Sequence, residues 1–399
     1  MPHVQANGIR LHYRFDERRD GAADAPVLVL SNSLGTTLAM WDPQIAAFTE
    51  HFRVLRYDMR GHGDSDAPDG DYSIETLGRD VVGLLDALGL QRVHFCGLSI
   101  GGLTGQWLGL HAAARLQRLI VCNTAAKIGQ ADGWNARIAQ VRAKGMTDVA
   151  AASIGRWFTA EFVDRDPAAV DAVHRQLLSL TTPGYCGGCA AVRDADFRGA
   201  LAAITVPTLV VGGRGDQVTT VADARFIAAG VADGRVAEIS GAHLSNIESQ
   251  AAFDAAVLRF LGVDVVQHLH EDARYAIGLA RRRETLGSAH VDRSLQNVTP
   301  FNAEFQDAIT RNAWGEIWTR AGLPGHTRSL LTIAMLIALG RDGELKLHLN
   351  AARHNGVTRD EIKELLMQAA IYCGVPAANH AFSLAAEIFA QQDREATQA

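Results

Sequence analysis

"HFCGLSIGGLTG", residues 94–105, sets one serine, Ser99, between Gly97 and Gly101 in a Gly-x-Ser-x-Gly frame. The apolar run leading into it, "RVHFCG" (92–97), reads as a buried strand, and the "GGLTGQWLGLHAA" that follows reads as a helix. Strand, tight turn and helix are the setting in which this frame makes a nucleophile elbow, with the serine forced into a strained backbone conformation and small neighbours letting the turn close. A glycine-rich turn whose serine merely caps the next helix would carry the same letters. The partners of Ser99 therefore decide the reading.

Outward from the elbow, "PVLVLSN" (26–32), "FRVLRYD" (52–58), "LQRLIVCN" (116–123) and "VPTLVVGG" (206–213) also read as buried parallel strands. Between them lie amphipathic helical patterns such as "SIETLGRDVVGLLDALGL" (73–90). Alternating strand and helix predicts an α/β sheet covered on both faces. The alternation lapses over about 123–198, a helical stretch with Trp134, Trp157 and Phe158 that is expected to form a cap over the strand ends.

A serine nucleophile needs a histidine base, and the base needs a carboxylate. In this kind of sheet the chain order is Ser, Asp or Glu, His. Asp216, in "VVGGRGDQVT", and His243, in "EISGAHLSNIE", follow late strands in that order and sit on loops at strand ends. Each alone has a bland explanation, a helix cap for Asp216 and a loop filler for His243. Together with Ser99 they select the nucleophile. The oxyanion hole takes two backbone N–H groups: Ile100, next to the nucleophile, and Leu34 in "SNSLGTTLAMW", where Gly35 allows close approach.

Past Gly262 no strand-like run appears. "EDARYAIGLARRRETLG", "NAEFQDAITRNAWGEIWTRAG", "TRSLLTIAMLIALGR", "ELKLHLNAARHNG" and "TRDEIKELLMQAAIYCG" all read as helices, several closed by glycine. Thr358 and Glu361 form a capping-box pair. The fold class is thus α/β plus all-α: residues 1–262, a linker over 263–270, and an all-helical domain over 271–399. In the tail, Glu344 and His348 stand four apart on one helix face, which by spacing alone also suits an ordinary surface pair.

The bulk numbers narrow the classes. The 399 residues carry a net charge of −6, which argues against nucleic-acid binding. The five cysteines, an odd and sparse set, suit a reducing cytoplasm rather than a disulfide framework. "MPHVQANGIRLHYRF" lacks an apolar signal core, and no run is long enough to span a membrane. Cys186 and Cys189 form a lone Cys-x-x-Cys without a second pair or histidine cluster, which favours a structural role in the cap over a metal site.

"SNSLGTTLAMWDPQ", "YDMRGHGDSD", "CGLSIGG", "GYCGGCAAVRDAD" and "GAHLSNIE" together resemble the 3-oxoadipate enol-lactone hydrolases, a family of α/β-hydrolases, over about residues 1–262. The resemblance implies a helical cap and an enol-lactone substrate bearing a carboxylate, for which Trp134, Arg137 and Arg156 are the candidate cap ligands. "RRRETLGSAHVDRS", "TRSLLTIAMLIALGR", "ELKLHLNAARHNGVTRDEIKE" and "YCGVPAANHAF" resemble the 4-carboxymuconolactone decarboxylases, whose wider fold is AhpD-like. That implies an all-helical, cofactor-free homo-oligomer, assembled through the C-terminal domain, with His348 as proton donor, Glu344 as its orienting partner and Arg328 as a carboxylate clamp. Arg281, Arg282 and Arg283 are weaker candidates, since an arginine run more often faces solvent; nothing in the spacing of Glu316 or Tyr372 places them in the site.

The two reactions are consecutive, the product of the second domain being the substrate of the first. The expected ligands are small anionic lactones, with no metal or other cofactor. The rival reading is a serine esterase or lactonase whose helical tail serves only oligomerisation; a binding protein on a hydrolase scaffold is a further class.

Overall fold

The computed structural model describes residues 2–263 and 271–398, apart from 23 and 321. Most of the expected linker, 264–270, lies outside the described residues. The chain divides into two compact units, Met1–Val263 and Asp264–Ala399.

The first unit is built on an eight-stranded sheet. Its strands are β1 (His3–Ala6), β2 (Ile9–Asp16), β3 (Val27–Ser31), β4 (Arg53–Tyr57), β5 (Val93–Leu98), β6 (Leu116–Cys122), β7 (Thr208–Gly213) and β8 (Gly234–Ile239), in the order β1-β2-β4-β3-β5-β6-β7-β8. From β4 onward every pairing is parallel, for example Leu30 opposite Cys96 and Cys96 opposite Ile120. Central β3 and β5 are buried at every residue, which is why they read as continuous apolar runs. The antiparallel β1–β2 hairpin was not expected from the strand reading. Its turn is Asn7-Gly8, both at positive φ (47° and 80°), the composition that two-residue hairpin turns demand.

Helices α1 (Asp42–Phe48), α2 (Ile74–Ala87), α3 (Ile100–His111), α9 (Val221–Gly230), α10 (Ser245–Glu248) and α11 (Gln250–Phe260) belong to the sheet layers. Between β6 and β7 run α4 (Ala131–Lys144), α5 (Thr147–Trp157), α6 (Ala160–Arg165), α7 (Pro167–Leu178) and α8 (Thr182–Asp194), all in the stretch read as a cap. Glycines set how closely α8 approaches the sheet loops. A Cβ on Gly188 would lie 2.6 Å from Leu34 Cδ1, and one on Gly187 would lie 2.7 Å from the Tyr72 ring. Cys186 and Cys189 are buried in this helix as free thiols, and burial pushes the Cys189 thiol up to about 12.

The second unit is helical throughout its described residues: α12 (Glu271–Leu286), α13 (Ser288–Gln296), α14 (Ala303–Ile309), a π-helical segment (Thr310–Ile317), α15 (Gly325–Leu339), α16 (Asp342–Ala351), α17 (Arg359–Tyr372) and α18 (Val375–Gln398). The stretch expected as one helix from Asn302 therefore changes type at Thr310. There α12 and the π segment touch backbone to backbone: a Cβ on Gly278 would meet the Thr310 carbonyl oxygen at 2.0 Å, and one on Gly315 the Arg274 carbonyl oxygen at 2.4 Å. Gly340 and Gly356 end their helices in the left-handed conformation, and Thr358 with Glu361 closes a capping box. Two apolar clusters hold the unit, one around Ile333, Leu349, Leu366 and Leu384, the other around Leu286, Val291 and Trp314.

Candidate functional site

Ser99 joins β5 to α3 with φ 59° and ψ −114°, a conformation costly for a residue with a side chain. The glycines of the frame make it attainable. A Cβ on Gly97 would lie 2.1 Å from the Gly101 carbonyl oxygen, and one on Gly101 would lie 2.4 Å from that of Ser31. The Ser99 backbone is tied on both sides, its N–H donating to Cys122 O at 2.9 Å and its carbonyl accepting from Thr124 Oγ1 at 2.8 Å.

Asp216 and His243 follow β7 and β8, and the His243 Nδ1 to Asp216 Oδ2 distance is 2.9 Å. The same carboxylate accepts from Val218 N, Thr219 N, Thr219 Oγ1 and Asn123 Nδ2 at 2.7–3.0 Å. Burial alone would raise the Asp216 carboxyl; the His243 charge and these hydrogen bonds outweigh it and hold it down at about 2. The aspartate is therefore ionised and its Oδ2 faces the imidazole. Ser99 Oγ makes no hydrogen bond to His243, but both line one cavity of about 340 Å³ with Leu34, Trp134, Arg137, Arg156, Trp157 and Tyr185. Serine and histidine pairs that act together often close their hydrogen bond only once substrate binds.

The cavity is polarised. Trp134 and Arg137 stack at 5.0 Å, and Trp134 Nε1 donates to Ile128 O. Neither Arg137 nor Arg156 is paired with a carboxylate among the described residues. Burial, and then the charge of Arg137, pushes Arg156 below its usual value. Two guanidiniums with no carboxylate partner among the described residues face the cavity that Ser99 lines, an arrangement able to bind an anion. Asn123, which holds both Asp216 and the Ala242 carbonyl, was not singled out by sequence; its φ of 44° just past β6 is a backbone feature invisible in the letters.

In the helical unit His348 is mostly buried on α16. Its Nδ1 has no hydrogen-bond partner among the described residues, and its ring stacks on Trp318 at 6.3 Å. Burial lowers it to about 4, against the raising effect of Glu344; the nearby His290 lowers it further. Glu344 shares the helix face as expected, but it is exposed and makes no hydrogen bond to His348. Arg328 donates to the Arg320 carbonyl and lies within range of the Arg320 and Arg281 charges; no hydrogen bond links it to His348. Glu316 pairs with Arg274 at 2.7 Å, and Tyr372 is 82 % exposed.

The arginine run divides. Arg281 and Arg283 pair with Glu284 and Asp292, whereas Arg282 is buried and bonds only neutral acceptors, Gln306, Thr310 and Ser294. Its spacing from Leu279 and Leu286, three and four residues away in the apolar cluster, was the available signal. Among the described residues no group of three or more His, Cys, Asp or Glu is placed to hold a metal ion, and no helix is long and apolar enough to cross a membrane.

An elbow serine, a carboxylate-bound histidine at successive strand ends, and a separate helical unit define the chain's class. It belongs to the α/β hydrolase fold family, whose model matches residues 26–250, and to the carboxymuconolactone decarboxylase family, whose model matches residues 303–387. It is 45% identical to 3-oxoadipate enol-lactonase 2 of Acinetobacter baylyi over 59% of this chain and 89% of that protein. It is 54% identical to the 4-carboxymuconolactone decarboxylase of the same organism over 30% of this chain and 90% of that protein. The crystal structure of the enol-lactonase from Burkholderia xenovorans is matched with a TM-score of 0.64 and 46% identity, over 65% of this chain and all of that one.

Proposed function

We propose that the chain is a bifunctional enzyme of protocatechuate breakdown, decarboxylating 4-carboxymuconolactone in its helical unit and hydrolysing the resulting 3-oxoadipate enol-lactone in its α/β unit. The observation that carries the reading is the presence, in one chain, of a unit similar over most of its length to an enol-lactonase and a unit similar over nearly its full length to a 4-carboxymuconolactone decarboxylase.

Decarboxylation needs no outside electron sink. The bond to the departing carboxylate breaks, and its electron pair moves through the adjoining ring C=C into the lactone carbonyl. Protonation of the resulting dienolate at the carbon alpha to that carbonyl gives the enol-lactone. His348 is the proton donor. It rests as neutral imidazole, and a dicarboxylate bound beside it favours the imidazolium. Arg328 is the carboxylate clamp, and the exposed Glu344 acts on His348 as a polarising charge.

Hydrolysis then follows the serine pattern. Ser99 attacks the lactone carbonyl as His243 takes its proton, and the Leu34 and Ile100 N–H groups receive the oxyanion. The ring opens by expelling an enolate, which becomes a ketone. Water, again activated by His243, releases 3-oxoadipate. Arg137, stacked on Trp134, and Arg156 hold the side-chain carboxylate.

The enzyme works in the cytoplasm as a homo-oligomer joined by its helical units. Leu331, Met335 and Leu339 on α15, and Met367 and Ile371 on α17, are exposed at helical spacing, which supports a second copy covering them. Light scattering of the full chain beside Leu331→Asp tests this, a monomeric wild type being the contrary result.

The deciding experiment gives freshly generated 4-carboxymuconolactone to Ser99→Ala protein. CO2 release with accumulation of the enol-lactone supports both assignments. CO2 at the uncatalysed rate from wild type as well returns the tail to a purely assembling role.

A further inference from the structure

We propose that His62 is a positioning residue for hydrolysis: its Nε2 holds the Gly35 N–H and so fixes the neighbouring Leu34 N–H as an oxyanion donor. This rests on the reading of Ser99 as nucleophile and Leu34 as half of the oxyanion hole.

The loop after β3 is short of free donors. Ser33 N–H donates to Met40 Sδ, Thr36 N–H to Ser33 O, Thr37 N–H to Gln176 Oε1 and Leu38 N–H to Asp58 Oδ1. Gly35 N–H donates to His62 Nε2 at 3.0 Å. Over residues 33–38 the Leu34 N–H alone has no acceptor among the described residues, and Leu34 lines the cavity with Ser99. Buried N–H groups rarely go unpaired without a reason, and an awaited oxyanion is one. Ile100 supplies the second donor from the first position of α3, where an N–H has no helical acceptor.

The Leu34 N–H lies in the Ser33–Leu34 peptide plane, and the next plane, Leu34–Gly35, constrains it through the Leu34 backbone torsions that join the two. The Ser33–Leu34 plane is held by the Ser33 carbonyl, which accepts from Thr36 N at 3.1 Å and Thr36 Oγ1 at 2.9 Å. Among the described residues the Leu34–Gly35 plane is held by His62 alone. Gly35 has φ +93°, so that plane has little steric restraint of its own. The imidazole is in turn fixed. It is buried, its Nδ1 faces Arg60 O at 3.1 Å, and Arg60 is clamped to Asp80 at 2.6 and 2.8 Å. With Nδ1 donating to a carbonyl, Nε2 carries the lone pair that an N–H requires. Burial keeps the ring neutral, at about 4. The histidine touches neither nucleophile nor base; it acts through the loop.

An oxyanion donor works in the transition state, so its misplacement lowers kcat and spares KM. His62→Leu, which fills the space without an acceptor, is expected to lose roughly 100-fold in kcat on the enol-lactone, in line with the loss of one donor, with KM held within about 3-fold. His62→Gln, whose Oε1 can accept the Gly35 N–H, is expected to recover most of that loss. In wild type, long-range proton–nitrogen NMR should show His62 protonated at Nδ1 only, a readout that needs no variant. A His62 ring protonated at Nε2, or a folded His62→Leu protein within 3-fold of wild type in kcat, would overturn the inference, as would a loss confined to KM. Ser99→Ala run alongside separates the two readings. Undiminished hydrolysis there removes the nucleophile assignment itself; a dead Ser99→Ala beside an active His62→Leu removes only the role of His62.

Discussion

Gly184 on α8 approaches Gly61 so closely that a Cβ at position 184 would lie 2.0 Å from the Gly61 carbonyl oxygen. This contact joins the cap to the loop after β4, one residue before His62. A backbone neighbour cannot swing aside as a flexible side chain can, so an added methyl must move α8. Gly184→Ala is therefore expected to destabilise the hydrolase unit by roughly 1–3 kcal/mol, the usual cost of overpacking, and to lower kcat/KM for lactone hydrolysis. Gly155→Ala on α5, with nothing within 4 Å of its Cβ and outside the cavity lining, is the control. Thermal unfolding and hydrolysis rates of the pair decide it; equal behaviour would mean that the cap contact is soft.

Arg156 carries the next prediction. It lines the Ser99 cavity beside Arg137, with no carboxylate partner among the described residues. Arg156→Met should raise KM for the anionic enol-lactone at least 10-fold, since charge-assisted bonds to a carboxylate contribute roughly 1.5–3 kcal/mol. An uncharged aryl acetate should be hydrolysed as well as before. Loss of both activities in parallel would instead point to a collapsed cavity.

These two residues show what the letters disclosed. The elbow, Asp216 and His243 were legible because strand-end motifs are local and because parallel topology carries strand ends to one edge of the sheet. Trp134, Arg137 and Arg156 could be named as candidate cap ligands, but the cavity they share with Ser99 comes from folding. The β1–β2 hairpin had an Asn-Gly signal that the search for parallel strands passed over. In the tail the arginine run looked like a solvated face, yet burial of Arg282 depends on which way α12 turns against α13 and the π segment. The Glu344–His348 spacing was read correctly as one face, but spacing does not say that one residue is exposed and the other largely buried.

Buried titratable groups set the pH range of the hydrolase unit. Burial lowers His62 and His94 to about 4 and raises Asp254 to about 8. For a histidine lowered on folding, the unfolded chain takes up the proton first, so stability is full above about 6.5 and is lost as pH falls toward 4. For Asp254 the folded chain keeps the proton, so stability falls as pH rises from about 4 to 8. Between about 4 and 6.5 the two histidines outweigh the one carboxyl, and above 6.5 only the carboxyl acts. Among these groups the balance places maximum stability near pH 6.5. Unfolding midpoints from pH 4.5 to 8.5 should trace that curve, and Asp254→Asn should flatten its alkaline side. A midpoint that still rises from pH 6.5 to 8 in wild type would contradict the assignment for Asp254.

Gly278 is the corresponding test in the helical unit. Its Cβ would lie 2.0 Å from the Thr310 carbonyl oxygen and 2.8 Å from Gly315 N, both backbone atoms of the π segment. That segment also carries the Thr310 hydroxyl that accepts from Arg282, and it leads into Trp318, on which His348 stacks. Gly278→Ala must separate α12 from the π segment, and the displacement runs directly into the surroundings of His348. We expect CO2 release to fall at least 10-fold, as misplacement of about 1 Å at a reacting group costs up to roughly 100-fold. Enol-lactone hydrolysis should stay at the wild-type rate, because the residues proposed for it are held by the core of the other unit. Gly322→Ala, whose Cβ meets nothing within 4 Å, should change neither rate. Equal loss of both activities in Gly278→Ala would show that the two units do not fold independently. Unchanged CO2 release would move the decarboxylating site away from the contact between α12 and the π segment, and with it the assignment of His348.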